Sequence, residues 1–283
     1  MNLIDAMTVD FNDAKRWMTY GLLASGGIYI CLLTTAFLPP KAEKFFAIVV
    51  LLLQVLTLIA KIRSDDYYSC GEAIRRAALL QDGFGIHPTP LTVATLCARR
   101  CEVPSDSHPY IGSYYASDLP TGSKRVAAIV LESVFWTSYL ARRTSAFLWW
   151  IVGVSGLLIL VFALAFMQWQ SIASPLEVIS RALIISFGFW TVGDWTILAW
   201  RYQVLARTTE SLLATCERLV QANGPSDHDA LIVLGEYNAT LASGPPILER
   251  IYKHYQDRLN TAWNAAYPHA MAAKATKTAT EIV

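Results

Sequence analysis

In the stretch GFWTVGDWTILAW, residues 188–200, one carboxylate stands among aromatic and aliphatic side chains. Asp194 at such a site can attract a cation, take up a proton or pair with a base. Placing an isolated charge deep in hydrocarbon costs about 2.5–3.5 kcal/mol on insertion scales, so the group must earn its place by facing protein or water. On a helix Thr191 shares its face three residues earlier, and Arg201, two turns beyond, can lean back toward it. Gln54 is the other large polar side chain inside an apolar run. Two readings stay open. Asp194 is a structurally satisfied carboxylate, bonded to a neighbouring helix or paired with Arg201, or it is a water-facing group of a pore or gate. In the second reading Thr191, Gln54 and Arg201 are its companions.

Other chemistry has few residues to carry it. No Walker loop, Gly-x-Gly-x-x-Gly, His-Glu-x-x-His or Gly-x-Ser-x-Gly occurs, so the chain is not read as an enzyme and no cofactor is expected. Cys97 and Cys101, four residues apart with His108 nearby, have the makings of a metal site, but a buried helix face accounts for the thiols equally well. The five cysteines show no Cys-x-x-Cys pair and read as reduced thiols. Paired arginines at 75–76, 99–100 and 142–143 can grip phosphates of a nucleotide or a lipid, or act as solvated faces and membrane-flank anchors. A formal net charge of +1 makes no case for a nucleic-acid polymer as partner.

The elements that must hold Asp194 follow from hydropathy. With 54% hydrophobic and 16% charged residues, the chain reads as membrane-embedded. The N-terminal arm has acids ahead of its basic pair and no small-residue cleavage site, unlike a signal peptide. Trp17 to Pro40 is uncharged and ends at Pro39-Pro40. Phe45 to Ala60 is flanked by Lys44 and Lys61, which can snorkel to headgroups. Thr144 to Leu176 is uncharged and carries Trp149, Trp150 and Trp169. A fourth run, Ala182 to Gly193, supplies only about 18 Å of helix against a core of about 30 Å, so it crosses only if Asp194 crosses with it. Lys15, Arg16, Lys61, Arg63, Arg142, Arg143, Arg201 and Arg207 then share one side, against Lys41, Lys44 and Arg181 on the other. The positive-inside rule makes that first side, with both termini, cytoplasmic.

The expected fold class is all-α: a polytopic membrane protein with four transmembrane helices in two hairpins plus a cytoplasmic helical domain. Residues 1–16 form an N-terminal arm, 17–62 the first hairpin, 63–143 a cytoplasmic helical segment, 144–201 the second hairpin, and 202–283 C-terminal cytoplasmic helices and a tail. A soluble protein with four buried helices is the alternative. Gly21, Ser25, Gly153, Gly156, Gly188 and Gly193 would let helices approach closely.

Outside the spans, SDDYYSCGEAIRRAALLQDG reads as a helix stopped near Gly83, and Thr89 caps another that begins at Pro90. RVAAIVLESVFWTSYLARR has helical spacing and runs into the third span, which makes Trp136, Arg142 and Arg143 candidates for coupling a cytoplasmic signal to the membrane part. Leu205, Leu212, Cys216 and Leu219 form one seam, for packing inside the chain or for subunit pairing. Ser226 or Asp227 starts a further helix. In GPPILERIYKHYQDRLNTAW, Pro246 is expected near a first turn, with Leu248, Ile251, Tyr255 and Leu259 on one face.

This layout, with SYYASDLPTGSKRVAAIVLESVFWTSYLARR before the third span and GPPILERIYKHYQDRLNTAW near the end, resembles the SMODS-associated four-transmembrane effectors. These are pore formers of bacterial conflict systems, akin in concept to the SLATT two-transmembrane effectors. The likeness covers most of the chain and rests on architecture and aromatic-proline patterns. Tyr115, Leu119, Trp136 and Pro245-Pro246 match the family pattern as structural positions, while Ser113-Tyr114-Tyr115 departs from its Asp-Trp-Tyr-like element. The resemblance implies a homo-oligomeric antiviral effector in the bacterial inner membrane. It is held quiet until a cyclic nucleotide or a sensor protein partner signals phage infection, then opens or assembles across the lipid bilayer in abortive infection. A constitutive ion channel or transporter and a non-conducting scaffold are the competing classes.

Overall fold

The computed structural model describes residues 3–35, 40–89, 92, 95, 115, 117, 119–167, 175–222 and 225–267. Among them all the long elements are helices: α1 Leu3–Thr35, α2 Pro40–Phe84, α3 Ser123–Met167, α4 Pro175–Gln221, α5 Asp227–Ser243 and α6 Glu249–Ala266. Cys97, Arg99, Arg100, Cys101, His108, Ser113, Tyr114, Trp169 and the tail from 268 lie outside the described residues.

Local sequence explains most boundaries. Pro40 opens α2, where its missing N–H is no loss. That helix runs without interruption through Lys61 to Phe84 and is stopped by Gly85, whose φ of 71° is the left-handed conformation that glycine adopts without a Cβ penalty. Thr89 Oγ1 accepts the Thr92 N–H at 3.2 Å, and Ser226 Oγ accepts the Asp229 N–H at 3.1 Å. The start of α6 falls close to Pro246, as expected. The helix begins at Glu249 behind Leu248, with no side-chain cap, so Pro246 precedes its first turn. Tyr202 Oη donates to the Pro246 carbonyl and ties the diproline segment to α4.

The helices pack as two antiparallel pairs. Between α1 and α2, Ser64 Oγ donates to the Ala14 carbonyl at 2.9 Å, and a Cβ at Gly21 would sit 3.4 Å from the Ala60 Cβ. Between α3 and α4, Ser145 Oγ donates to the Ala199 carbonyl at 3.0 Å and Trp149 Nε1 to Gln203 Oε1 at 3.2 Å. Tyr29 Oη joins the pairs by donating to the Ser155 carbonyl at 2.9 Å, and Leu32 lies so close to Gly188 that a Cβ there would fall 2.3 Å from its Cδ1. Among the described residues a Cβ at Gly153, Gly156 or Gly193 would meet nothing within 4 Å, so these three make no close helix contact there.

One end of the assembly has an ordinary core. Ile129, Leu131 and Val134 of α3 meet Leu205, Leu212 and Cys216 of α4, Val233 and Tyr237 of α5, and Trp263 of α6. The seam read at Leu205, Leu212, Cys216 and Leu219 is therefore used for packing inside the chain. Burial pushes the Cys216 thiol up to about 12, which keeps it unreactive.

The other end is different. Two helices, within Phe45–Phe84 and Ser123–Val161, are long and apolar enough to cross a membrane, and only 11% and 28% of their most apolar windows are buried. Two, not four, meet that measure among the described residues. Phe45, Leu52, Leu58 and Ile62 of α2, and Phe147, Trp150, Leu157 and Leu160 of α3, are exposed. A contiguous apolar surface of this extent marks contact with lipid or another protein.

Candidate functional site

Asp194 and Arg201 lie on α4 two turns apart, and both line a cavity of about 110 Å³ between the helix pairs. The i, i+4 spacing of Lys61 and Asp65 brings both side chains to the same cavity from α2. Met18 and Leu22 of α1 with Trp195 of α4 make its apolar wall, and Pro245 and Pro246 close one side. Holding one water takes about 10–15 Å³, so the space admits several.

The charges here are not spent on each other. Among the described residues no ion pair or hydrogen bond joins Asp194 to Arg201, Lys61 or Asp65. Arg201 instead donates from Nη2 to the Ser243 carbonyl at 3.2 Å, turning away from Asp194 toward the end of α5. Asp194 is half-buried, as is Arg201. Thr191 is 2% exposed, and neither it nor Gln54 lines the cavity. Gln54 is half-buried one turn before Thr57, the first α2 residue to reach the space, and makes no hydrogen bond to Asp194. The side chains of Ser180, Leu183 and Phe187, which precede Thr191 on the same helix, lie outside the described residues. No family model, no curated protein and no solved structure matches this chain. Its chemistry has to be argued from its own residues.

What these residues can do is limited and definite. Two cations and two carboxylates sum to zero charge, and the apolar wall lowers the local dielectric. The cavity therefore suits a small dipolar or zwitterionic guest, or a file of waters, better than a bare anion or cation. No group of three or more His, Cys, Asp or Glu side chains able to hold a metal occurs among the described residues.

A second constellation surrounds α6. Trp136 packs on Tyr252 with ring centroids 5.9 Å apart, and the Arg143 guanidinium lies 5.2 Å over the Tyr139 ring and 5.6 Å from Tyr255. Arg142 turns the other way, to Glu210 Oε1 on α4 at 3.2 Å, in a pair exposed enough to add little stability. At the head of α6, Glu249 takes Lys15 of α1 and Lys253, each at 3.0 Å. The Lys15 ammonium also sits 5.4 Å over Tyr252. Helix α6 is thus clasped to α1 through Lys15 and to α3 through Trp136, Tyr139 and Arg143.

Burial raises the Glu249 pKa, but the hydrogen bonds and charges of Lys253 and Lys15 outweigh it, so the net shift is downward. A carboxyl with a depressed folded pKa contributes stability above its unfolded value and loses it as pH falls through the folded one. The clasp is therefore expected to hold from neutral pH down to the ordinary carboxyl range at about pH 4.5, and to weaken below it as pH falls through the depressed folded pKa. Tm measured against pH should show a step that Glu249→Gln removes. The side chain is 39% exposed, so the step should be small and shrink with added salt.

Sequence reasoning passed over the Glu72–Arg75 pair and the cavity's Lys61 and Asp65. Glu72 and Arg75 are 3% and 8% exposed, with Arg75 Nη2 on Glu72 Oε2 at 2.8 Å and on Asn238 Oδ1 of α5 at 2.9 Å. The available signal was the i, i+3 acid–base spacing beside Ile74 and Leu79, which marks a charged pair on an otherwise apolar face. Arg125 makes a second such link, to Asp82 Oδ1 at 2.7 Å and to the Leu119 carbonyl.

Proposed function

We propose that this protein is a multi-pass effector of the bacterial inner membrane, with both termini and the α5–α6 end cytoplasmic. It opens or assembles to breach the membrane when its cytoplasmic helices receive a signal. The observation that carries the reading is the division of the bundle at one level. Beyond the contacts Ser64–Ala14, Gly21–Ala60 and Ser145–Ala199, apolar side chains of α2 and α3 face outward; on the other side lie Lys15, Arg63, Arg142 and Arg207. That is the pattern of a lipid belt with a positive inner edge.

Four crossings follow if α1 and α4, which pair with α2 and α3 along their lengths, share that belt. The charged cavity beside Asp194 then lies at the inner boundary, where a carboxylate can meet water. The α6 clasp on Trp136 and Arg143 offers a route by which a ligand or a partner at the cytoplasmic end could shift α3.

The test is release of ions and dye from liposomes containing the purified protein, with and without lysate from phage-infected cells as the activating source. Stimulated leakage is expected, and Asp194→Asn should cut the cation-over-anion preference about tenfold. Steady leakage independent of any stimulus would instead mark a constitutive channel. A tight vesicle at high protein occupancy, with lysate present, would overturn the pore.

A further inference from the structure

The geometry points to the cavity between the helix pairs as a binding site for one aminophospholipid headgroup. Its phosphate is held by Lys61 and Arg201, and its primary ammonium by Asp65 or Asp194. This rests on the membrane reading above and goes beyond it by naming a ligand.

Three observations meet here. The four side chains line one space and, among the described residues, none is ion-paired to another; Arg201 spends one N–H on the Ser243 carbonyl and keeps its other donors for a guest. Their charges cancel, which matches a zwitterion and disfavours a purely anionic headgroup. The remaining wall is apolar, with Met18, Leu22 and Trp195, and the exposed face of α2 adjoins it. Acyl chains can therefore leave the cavity along surface that already faces outward.

Chemistry then selects among headgroups. A primary ammonium donates up to three N–H bonds to a carboxylate, and charge-assisted bonds of that kind are the strong ones. A quaternary ammonium has no N–H to give and keeps only the Coulomb attraction. A glycerol headgroup has no cation at all and leaves both carboxylates facing a phosphate.

The experiment uses the full chain reconstituted in vesicles of equal parts phosphatidylethanolamine, phosphatidylcholine and phosphatidylglycerol. The protein is then extracted in mild detergent, and the lipids it retains are counted by native mass spectrometry. Phosphatidylethanolamine is expected to be retained about tenfold over phosphatidylcholine, the difference one charge-assisted bond supplies. The double variant Asp65→Asn, Asp194→Asn should erase that preference while still holding lipid. Lys61→Gln with Arg201→Gln should release all three lipids.

Equal retention of the three, a preference for phosphatidylglycerol, or an ethanolamine preference that survives the double Asn variant would each overturn the site. O-phosphoethanolamine in detergent, without acyl chains, separates headgroup from lipid: a rise in Tm lost in the Lys61 and Arg201 variants supports the cavity, and no rise assigns binding to the chains and overturns it. Membrane washing at alkaline pH keeps the two proposals apart. Protein lost to the wash sinks the membrane reading, while protein that stays but shows no headgroup preference sinks only the lipid site.

Discussion

Replacing Arg75 by alanine is expected to lower stability by about 3–5 kcal/mol, the cost of leaving a buried charge without its partner. The partner is Glu72, 3% exposed, which accepts from Arg75 Nε and Nη2 at 2.8 to 3.1 Å. Arg75 also lies 5.0 Å over the Tyr237 ring and bonds Asn238, so its loss loosens α5 from α2. Burial opposes its charge, yet Tyr237 and Glu72 more than offset this and hold the guanidinium protonated. Denaturant unfolding in detergent measures the loss. Replacing both members, Glu72→Leu with Arg75→Met, should recover most of it, because an apolar pair of similar volume carries no desolvation penalty. A single-variant loss under about 1 kcal/mol would show the pair to be solvated.

Trp263→Ala is expected to cost about 3–5 kcal/mol as well, through the cavity it opens. Trp263 is 4% exposed, with ring centroids 4.5 Å from Tyr267 and 5.4 Å from Phe135. Its indole N–H is buried with no hydrogen-bond partner among the described residues, which sets up a discriminating control. Trp263→Phe removes that desolvated donor together with some volume, so the two effects oppose and the net change should be far smaller. Limited proteolysis reads the same difference, since cleavage within α6 should accelerate in the alanine variant and hardly at all in the phenylalanine one. A phenylalanine variant as unstable as alanine would mean the indole nitrogen is satisfied in solution.

Local signals in the sequence carried as far as local physics reaches. The Ser226 and Thr89 caps and the stop after Gly83 are set by residues within a turn of the event, whereas Pro40, read as part of the pair that ends the first run, opens α2. The apolar windows on α2 and α3 likewise follow from composition alone. What was not legible depends on distant partners. Arg75 looked like half of a solvated arginine pair because Asn238 and Tyr237 are more than 160 positions away along the chain. Lys61 looked like a simple flank anchor, because nothing local says that α4 will bring Asp194 and Arg201 to the same space. The anchoring of the segment ahead of α6 was hidden for the same reason: Tyr202 bonds the Pro246 carbonyl, and no neighbour in sequence says so. Gln54 and Asp194 are both polar groups within apolar runs, but the register of α2 against α4 brings Thr57, not Gln54, to the cavity.

Helix α3 runs from Ser123 to Met167 in one piece, with no proline and no glycine before Gly153. It therefore lacks the usual sources of a kink where it passes Thr144. Roughly 30 Å of the rod lies on one side of that residue and 35 Å on the other. Were it to pivot there, it would act as a seesaw: a sideways push at Trp136 would reappear beyond Trp150 with reversed direction. A few degrees of rocking would then be enough to carry an ångström-scale nudge from one end of the bundle to the other, with no hydrogen bond in its backbone having to break.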